Sequence, residues 1–115
     1  MLPEKDRIRL LDMLNHAREA LQFINGRTRP DLDKLRWLNL SPVRLLEIIG
    51  EAAARASDST KSYFPEIKWQ QIVGLRNRLI HGYNQVDFDI IWDILQEDLP
   101  QLVNQVEKAL ETDKA

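Results

Sequence analysis

The residues best suited to do chemistry lie in one short stretch of the chain, Leu75–Tyr83. Within eight residues it contains two arginines, an asparagine, a histidine and a tyrosine: Arg76, Asn77, Arg78, His81 and Tyr83. A histidine with a pKa of about 6.5 exchanges protons at neutral pH, and an arginine holds a phosphate through two parallel N–H bonds. RNA supplies its own nucleophile, the 2′-OH. The cluster therefore predicts phosphodiester cleavage without a metal ion.

The spacing of these residues raises a geometric problem. In a regular helix Arg76 lies on the apolar face, whereas Asn77, Arg78 and His81 form a neighbouring polar stripe. Arg76 and His81 are then about 140° apart around the helix axis. They converge only if the helix unwinds near Gly82, if the long arginine side chain reaches round, or if a second subunit supplies part of the site.

The elements that position this cluster are predicted to be helices. Apolar residues recur at spacings of three and four, which indicates an all-α chain. The prediction is an antiparallel four-helix bundle. Its expected features are a first helix ended by Asn25-Gly26, a second from about Asp31 to Ser57 interrupted at Ser41-Pro42, a polar loop at 58–62, a third helix from Pro65 to Gly82, and a fourth from Asp87 kinked at Pro100.

Composition narrows the possible classes of protein. The length of 115 residues and the apolar content of 43% fit a single domain over 1–115, with a fraying tail at about 111–115. The chain includes no cysteine, which excludes disulfide and thiol chemistry. No apolar run is long enough to cross a bilayer and the N-terminus lacks a signal peptide, so we expect a cytoplasmic protein. With a net charge of −2, any nucleic acid must be held by a local group of cations. No spacing of acidic residues and histidine predicts a metal site.

The motif itself resembles that of a known family. The chain matches the Arg-x4-6-His signature of the HEPN superfamily, in the form found in its HepT-like toxins. Four residues separate Arg76 from His81, and one residue separates His81 from Tyr83. The resemblance extends to Ile48–Ala52, which is similar to the Gly-Glu-Ala helix of the family, to Pro65–Trp69 before the motif, and to 86–110 as the final helix.

This resemblance implies a homodimer in which two Arg-x4-His motifs meet to form one metal-independent endoribonuclease site. Arg76 would bind and stabilise the scissile phosphate, His81 would act as acid or base and Asn77 would orient the site. The resemblance assigns no role to Arg78, which is either a solvated cation or a contact to the RNA backbone. The chain would be the toxin of a type II/VII-like toxin–antitoxin pair. Its partner would be a minimal nucleotidyltransferase antitoxin, which uses ATP and Mg2+ to transfer AMP to Tyr83. RNA cleavage itself would need no cofactor.

Other interpretations of the same residues stay open. Arg76 could form a buried ion pair with Glu51 or Asp98, and His81 could interact with the last carbonyls of its helix. The chain could then be a non-catalytic helical module that binds a nucleotidyltransferase or another regulator, or a small domain that only holds phosphate. Two further predictions concern residues outside the cluster: His16 is an exposed polar residue, and the three tryptophans, Trp37, Trp69 and Trp92, belong to the core or to an interface.

Overall fold

The computed structural model describes residues 2–81 and 85–114, and these residues form an all-α fold, as predicted. The eight α-helices are α1 (Glu4–Ile24), α2 (Arg29–Lys34), α3 (Arg36–Arg55), α4 (Asp58–Tyr63), α5 (Trp69–Val73), α6 (Leu75–Leu79), α7 (Phe88–Asp93) and α8 (Leu99–Lys114). A π-helical turn, Ile94–Asp98, joins α7 to α8. Two two-residue strands, β1 (Ile80–His81) and β2 (Gln85–Val86), pair in an antiparallel ladder.

The three long helices form the centre of the molecule, with α1 packed against both α3 and α8. The apolar positions of α1 follow the helical period, and the apolar side chains that it buries are Leu10, Met13, Leu14, Ala17, Ala20 and Ile24. Gly26 follows this helix with a φ of 75°, a left-handed conformation that a residue without Cβ adopts at no steric cost. The predicted end of the first helix is therefore confirmed.

The second helical region is interrupted, but the prediction of where is wrong. The break lies at Leu35, between α2 and α3, and α3 runs without interruption through Ser41 and Pro42. A proline inside a helix loses one hydrogen bond and costs roughly 3 kcal/mol. Here Pro42 is itself buried, in a helix that also buries Leu46 and Ile49 completely, so packing against the core outweighs the cost.

Residues 58–62, predicted to be a polar loop, belong to a helix instead. Ser57 caps α4 through its side chain, which accepts a hydrogen bond from the Thr60 amide. Asp6 of α1 is buried beneath this cap and accepts hydrogen bonds from the Ser57 amide (3.0 Å), the Ser57 hydroxyl (2.5 Å) and the Thr60 hydroxyl (2.6 Å). A short polar helix is thus held in place by a tertiary partner 51 residues away in sequence.

The last helical region carries a π-helical turn where a kink at Pro100 was predicted. The Leu99 amide bonds to the Ile94 carbonyl, five residues earlier. Proline has no N–H and crowds the carbonyl four residues before it, which is that of Gln96 inside this turn. At its other end α8 extends to Lys114, so it includes most of the segment expected to fray, and its Asp113 accepts a hydrogen bond from the Leu2 amide.

The predicted apolar positions of the last helix can be tested by truncation. Leu95 and Leu102 are buried, with 0% and 4% of their surface exposed, so Leu95→Ala or Leu102→Ala should lower the free energy of unfolding by about 2 to 5 kcal/mol. Leu40→Ala is the matched control, because Leu40 is 53% exposed and should matter far less. Urea denaturation measures all three, and a buried-site variant as stable as the control would contradict this packing.

The Asp6 cluster makes stability depend on pH. Burial raises the pKa of Asp6, but the hydrogen bonds from Ser57 and Thr60 outweigh burial and bring the pKa below its usual 3.8. A carboxyl with a lowered folded-state pKa stabilises the fold above its unfolded pKa and loses that contribution as the pH falls through the folded value. Asp6→Asn should therefore be less stable at neutral pH and lose less stability between about pH 5 and about pH 2.

The measurement is urea denaturation of both proteins across that pH range. Glu19→Gln, which removes an exposed carboxylate from the same helix, is the control and should keep the wild-type pH dependence. Parallel pH curves for wild type and Asp6→Asn would show that this carboxyl does not contribute to acid sensitivity.

Candidate active site

The helical region before the motif is two short helices rather than the single predicted helix from Pro65 to Gly82. It begins at Trp69 and is divided at Gly74 into α5 and α6. The Trp69 ring is buried, and its Nε1 donates a hydrogen bond to the Phe64 carbonyl at 3.0 Å, which fixes where α5 starts. A buried indole with its N–H satisfied is a typical anchor for such a short element.

A close backbone approach sets the position of α5 against α3. A Cβ added at Gly50 would lie 3.0 Å from the Ile72 carbonyl oxygen, which is tighter than most Cβ contacts in proteins and would require the backbone of α5 to shift by a few tenths of an ångström. The sequence predicted this role for Gly50, because glycine inside a helix costs about 1 kcal/mol and needs a compensating contact. Since α3 also packs against α6, it is the support on which the motif segment rests.

The motif spans a change of backbone conformation. Arg76, Asn77 and Arg78 belong to α6, but α6 ends at Leu79, and His81 lies in β1, where it is paired with Gln85. The angle of about 140° that separates Arg76 from His81 in a regular helix therefore does not apply. Of the routes by which the two residues could converge, the structure has helix unwinding, and it occurs at Ile80, before Gly82.

The end of α6 is held by the segment that follows the ladder. The Asp87 amide donates to the Leu79 carbonyl at 3.0 Å, which satisfies a carbonyl left free where the helix stops. The Asp87 side chain also caps α7, accepting from the amides of Asp89 and Ile90 at 3.0 and 3.1 Å. The predicted start of the last helical region near Asp87 is therefore confirmed, and this one residue connects α6 to α7.

A salt bridge connects the same region to α2. The Arg29 guanidinium lies 2.8 Å from the Asp89 carboxylate and 3.1 Å from that of Asp33. Partial burial lowers the pKa of Arg29, but its hydrogen bonds to the two carboxylates outweigh that effect and raise it. The Arg29 side chain thereby joins the start of α7, just after β2, to the start of α2, which lies between α1 and α3 in sequence.

Two of the predicted site residues have side chains that the structure describes. Asn77 is exposed, and Arg78 forms an ion pair with Asp98 of the π-helical turn at 3.3 Å, with both side chains more than 40% exposed. An ion pair this exposed contributes about 0 to 1 kcal/mol. Arg78 can therefore exchange Asp98 for a phosphate at little cost.

The other predicted site residues are described less fully or not at all. Arg76 and His81 are placed by their backbone only, and Tyr83 lies outside the described residues. The convergence of the Arg76 and His81 side chains therefore stays a prediction. The one other histidine, His16, was predicted to be exposed, but that prediction is wrong: it is half-buried on α1, and its Nδ1 lies 2.6 Å from the Asp12 carbonyl oxygen.

A groove that sequence reasoning missed runs beside Arg78, between α5–α6 and the π-helical turn with the start of α8. It is open to solvent, with an apolar floor and a polar rim. The rim includes Lys68, Gln71, Arg78 and Gln101, and the floor includes Ile72 and Leu102. The only signal in the sequence is the recurrence of polar residues on two elements that are far apart in the chain. Their meeting depends on the tertiary fold.

Two classes of feature are absent from the part of the chain that the structure describes. Across 2–81 and 85–114, no three residues of the kinds His, Cys, Asp or Glu are grouped so that they could hold a metal ion. Over the same ranges, no helix is both long and apolar enough to cross a membrane.

Comparison with known proteins agrees with the motif. The family model described as Ribonuclease HepT-like matches residues 13–109. Among curated relatives, "Putative RNase MJ1380" of Methanocaldococcus jannaschii is 34% identical over 98 residues, 85% of this chain and 90% of that protein. "Probable ribonuclease HepT" of Thermococcus cleftensis is 35% identical over 101 residues, 84% of this chain and 92% of that protein. No solved structure matches the chain. The protein belongs to the HepT-like ribonuclease family.

Proposed function

We propose that this protein is a metal-independent endoribonuclease and the toxin of a toxin–antitoxin pair. The observation that carries the proposal is the family match over residues 13–109, which includes the whole Arg76-x4-His81 motif. The position of the motif agrees with it, because Arg76 lies in α6 and His81 in the strand that follows, rather than in one rigid helix.

The proposed reaction is a transesterification that releases the downstream fragment with a 5′-OH end. His81 takes the proton of the 2′-OH, the oxygen attacks the adjacent phosphorus, and the bond to the 5′-oxygen breaks, leaving a 2′,3′-cyclic phosphate. The departing oxygen needs a proton, which a second, protonated histidine supplies. Arg76 binds the phosphate and stabilises the additional negative charge of the transition state.

This chemistry calls for two histidines, whereas the motif contains one. We therefore propose a homodimer in which the two copies of the motif meet, so that one His81 acts as base and the other as acid. The alternative donor within the chain, His16, is directed to its own helix by the contact with the Asp12 carbonyl. Asn77 and Arg78 are exposed beside the motif, where they could orient the RNA and contact its backbone.

The proposed control of the activity is modification of Tyr83. Tyr83 lies two residues after His81 in sequence and two before Gln85, the partner of His81 in the ladder. An AMP group transferred there from ATP, by a minimal nucleotidyltransferase antitoxin with Mg2+, would place a bulky anion beside the catalytic histidine. It would exclude RNA by volume and by repulsion of its phosphates.

The nuclease activity is tested on a mixed RNA pool in the presence of EDTA. Wild type should produce fragments with 2′,3′-cyclic phosphate ends, and His81→Ala or Arg76→Ala should reduce the rate by at least about 100-fold. His16→Ala and Arg18→Ala are matched controls, since they remove the same residue types from α1, and should cleave like wild type.

Equal cleavage by wild type, His81→Ala and Arg76→Ala would point to a contaminating nuclease and contradict the assignment. If a folded protein with unmodified Tyr83 does not cleave, the endoribonuclease proposal fails. The interaction module that binds a nucleotidyltransferase is then the better account, and tight binding unaffected by His81→Ala would establish it.

The modification is tested by intact mass. Incubation with a minimal nucleotidyltransferase, ATP and Mg2+ should add the mass of AMP and abolish cleavage. Tyr83→Phe should gain no mass and continue to cleave. Tyr63→Phe is the matched control, because Tyr63, the other tyrosine, is 67% exposed on α4 and would also be accessible to the enzyme. If Tyr83→Phe gains the mass of AMP and Tyr63→Phe does not, the modified residue is Tyr63, which would contradict the proposal.

A further inference from the structure

An exposed aromatic and cationic surface lies at the start of α3 and is formed by residues outside the motif. Trp37 is 46% exposed and Leu40 53% exposed. Together with Arg44 they recur at spacings of three and four, so they lie on one stripe of the helix, with Arg36 beside it. Trp69 is buried at 8% exposure, so the presentation of Trp37 to solvent is not a general feature of the tryptophans of this chain.

The Trp37 ring is held by two side chains that enter from α1 and the loop after it. The Phe23 ring lies 6.2 Å from it, centroid to centroid, at an interplanar angle of 54°. The Arg27 guanidinium lies over the indole, 5.3 Å from the ring centroid. An exposed indole fixed in orientation, with a guanidinium against it, presents a flat surface that carries positive charge.

The charge of this region is opposite to that of the whole chain. Residues 27–44 include five basic and two acidic residues, a net charge of +3, in a chain whose net charge is −2. Residues 87–114 include eight acidic and two basic residues. Arg29 is neutralised by Asp33 and Asp89, but Arg27, Arg36 and Arg44 are exposed, and none of them is in an ion pair among the described residues.

We propose that this surface, formed by Arg27, Arg36, Trp37 and Arg44, binds single-stranded RNA outside the cleavage site. An unpaired base stacks on Trp37 and the guanidinium of Arg27, and Arg36 and Arg44 contact the phosphates on either side. The inference rests on the proposed function in taking RNA as the ligand. It adds where a second part of the substrate binds and that this part is unpaired.

The preference for a single strand follows from stacking. Both faces of each base in a duplex are covered by neighbours, so an aromatic side chain can stack only on a base that is free of the helix. The surface is also connected to the motif region, because the Arg29–Asp89 pair joins α2, which precedes Trp37, to the start of α7, which follows β2. One RNA strand could then contact both.

Binding is measured with the full chain carrying His81→Ala, so that the RNA is not cut. A short labelled single-stranded RNA of mixed sequence is titrated and followed by fluorescence anisotropy. Adding Trp37→Ala should weaken binding by about fivefold to 100-fold, the range for loss of one stacked base. Trp37→Phe should keep most of the affinity. Tyr63→Ala, which removes an exposed aromatic from α4, should bind like the parent.

The arginines are tested by the salt dependence of the same titration. Arg36→Gln and Arg44→Gln should each reduce the slope of log K against log salt by about 0.7, the value for one phosphate contact on a single strand. Arg18→Gln is the matched control, because Arg18 is exposed on α1 and paired with Glu107, and should leave the slope unchanged.

Three outcomes would overturn the proposal. The first is equal affinity of Trp37→Ala and Tyr63→Ala for the single strand, and the second is a loss of affinity by Trp37→Ala that is as large for duplex RNA as for the single strand. The third is a shift of Trp37→Ala to a smaller oligomer with unchanged RNA binding, which would make the surface a protein interface. The nuclease proposal is judged separately. Wild-type cleavage without Trp37-dependent binding defeats only this inference, whereas Trp37-dependent binding without cleavage defeats only the nuclease.

Discussion

The end of α6 at Leu79 is the constraint on which the rest of the site depends. If the helix continued, Arg76 and His81 would lie about 140° apart around it, and within one copy of the motif only the reach of the long arginine side chain could bring them together. The helix ends there because the Leu79 carbonyl accepts a hydrogen bond from the Asp87 amide, and because Ile80 and His81 pair with the strand that precedes Asp87. The two motif residues are thus carried by two kinds of backbone, one helical and one extended.

That junction is supported from below by α3. At Gly50 the backbones of α3 and α5 approach so closely that a Cβ there would be crowded by the Ile72 carbonyl oxygen, and α6 packs on the same helix. Buried apolar residues on both sides, such as Ile49 and Leu79, make this support rigid. Of the polar side chains of α6 that the structure describes, Asn77 and Arg78 are exposed, and Arg78 forms an exposed ion pair with Asp98.

Charge is distributed unevenly along the chain. The basic residues of 27–44 surround an exposed tryptophan, whereas the acidic residues are concentrated in 87–114. In the proposed interaction the basic segment attracts RNA, although the net charge of the chain is slightly negative. Local arrangement of charge, rather than its sum, therefore decides whether such a chain can bind a nucleic acid.

The sequence by itself determined the fold class, the end of α1 at Gly26, the close approach at Gly50, the cap at Asp87 and the family, because each depends on local periodicity or on residue types at fixed spacing. It did not determine the break at Leu35, the helix at 58–63, the division of the third helix at Gly74, or the π-helical turn. The tertiary structure decided these. Pro42 stays helical because its helix is buried, and α4 forms because Asp6, distant in sequence, accepts hydrogen bonds from Ser57 and Thr60. Local conformational preferences of about 1 to 3 kcal/mol are overridden where burial and long-range hydrogen bonds contribute more free energy.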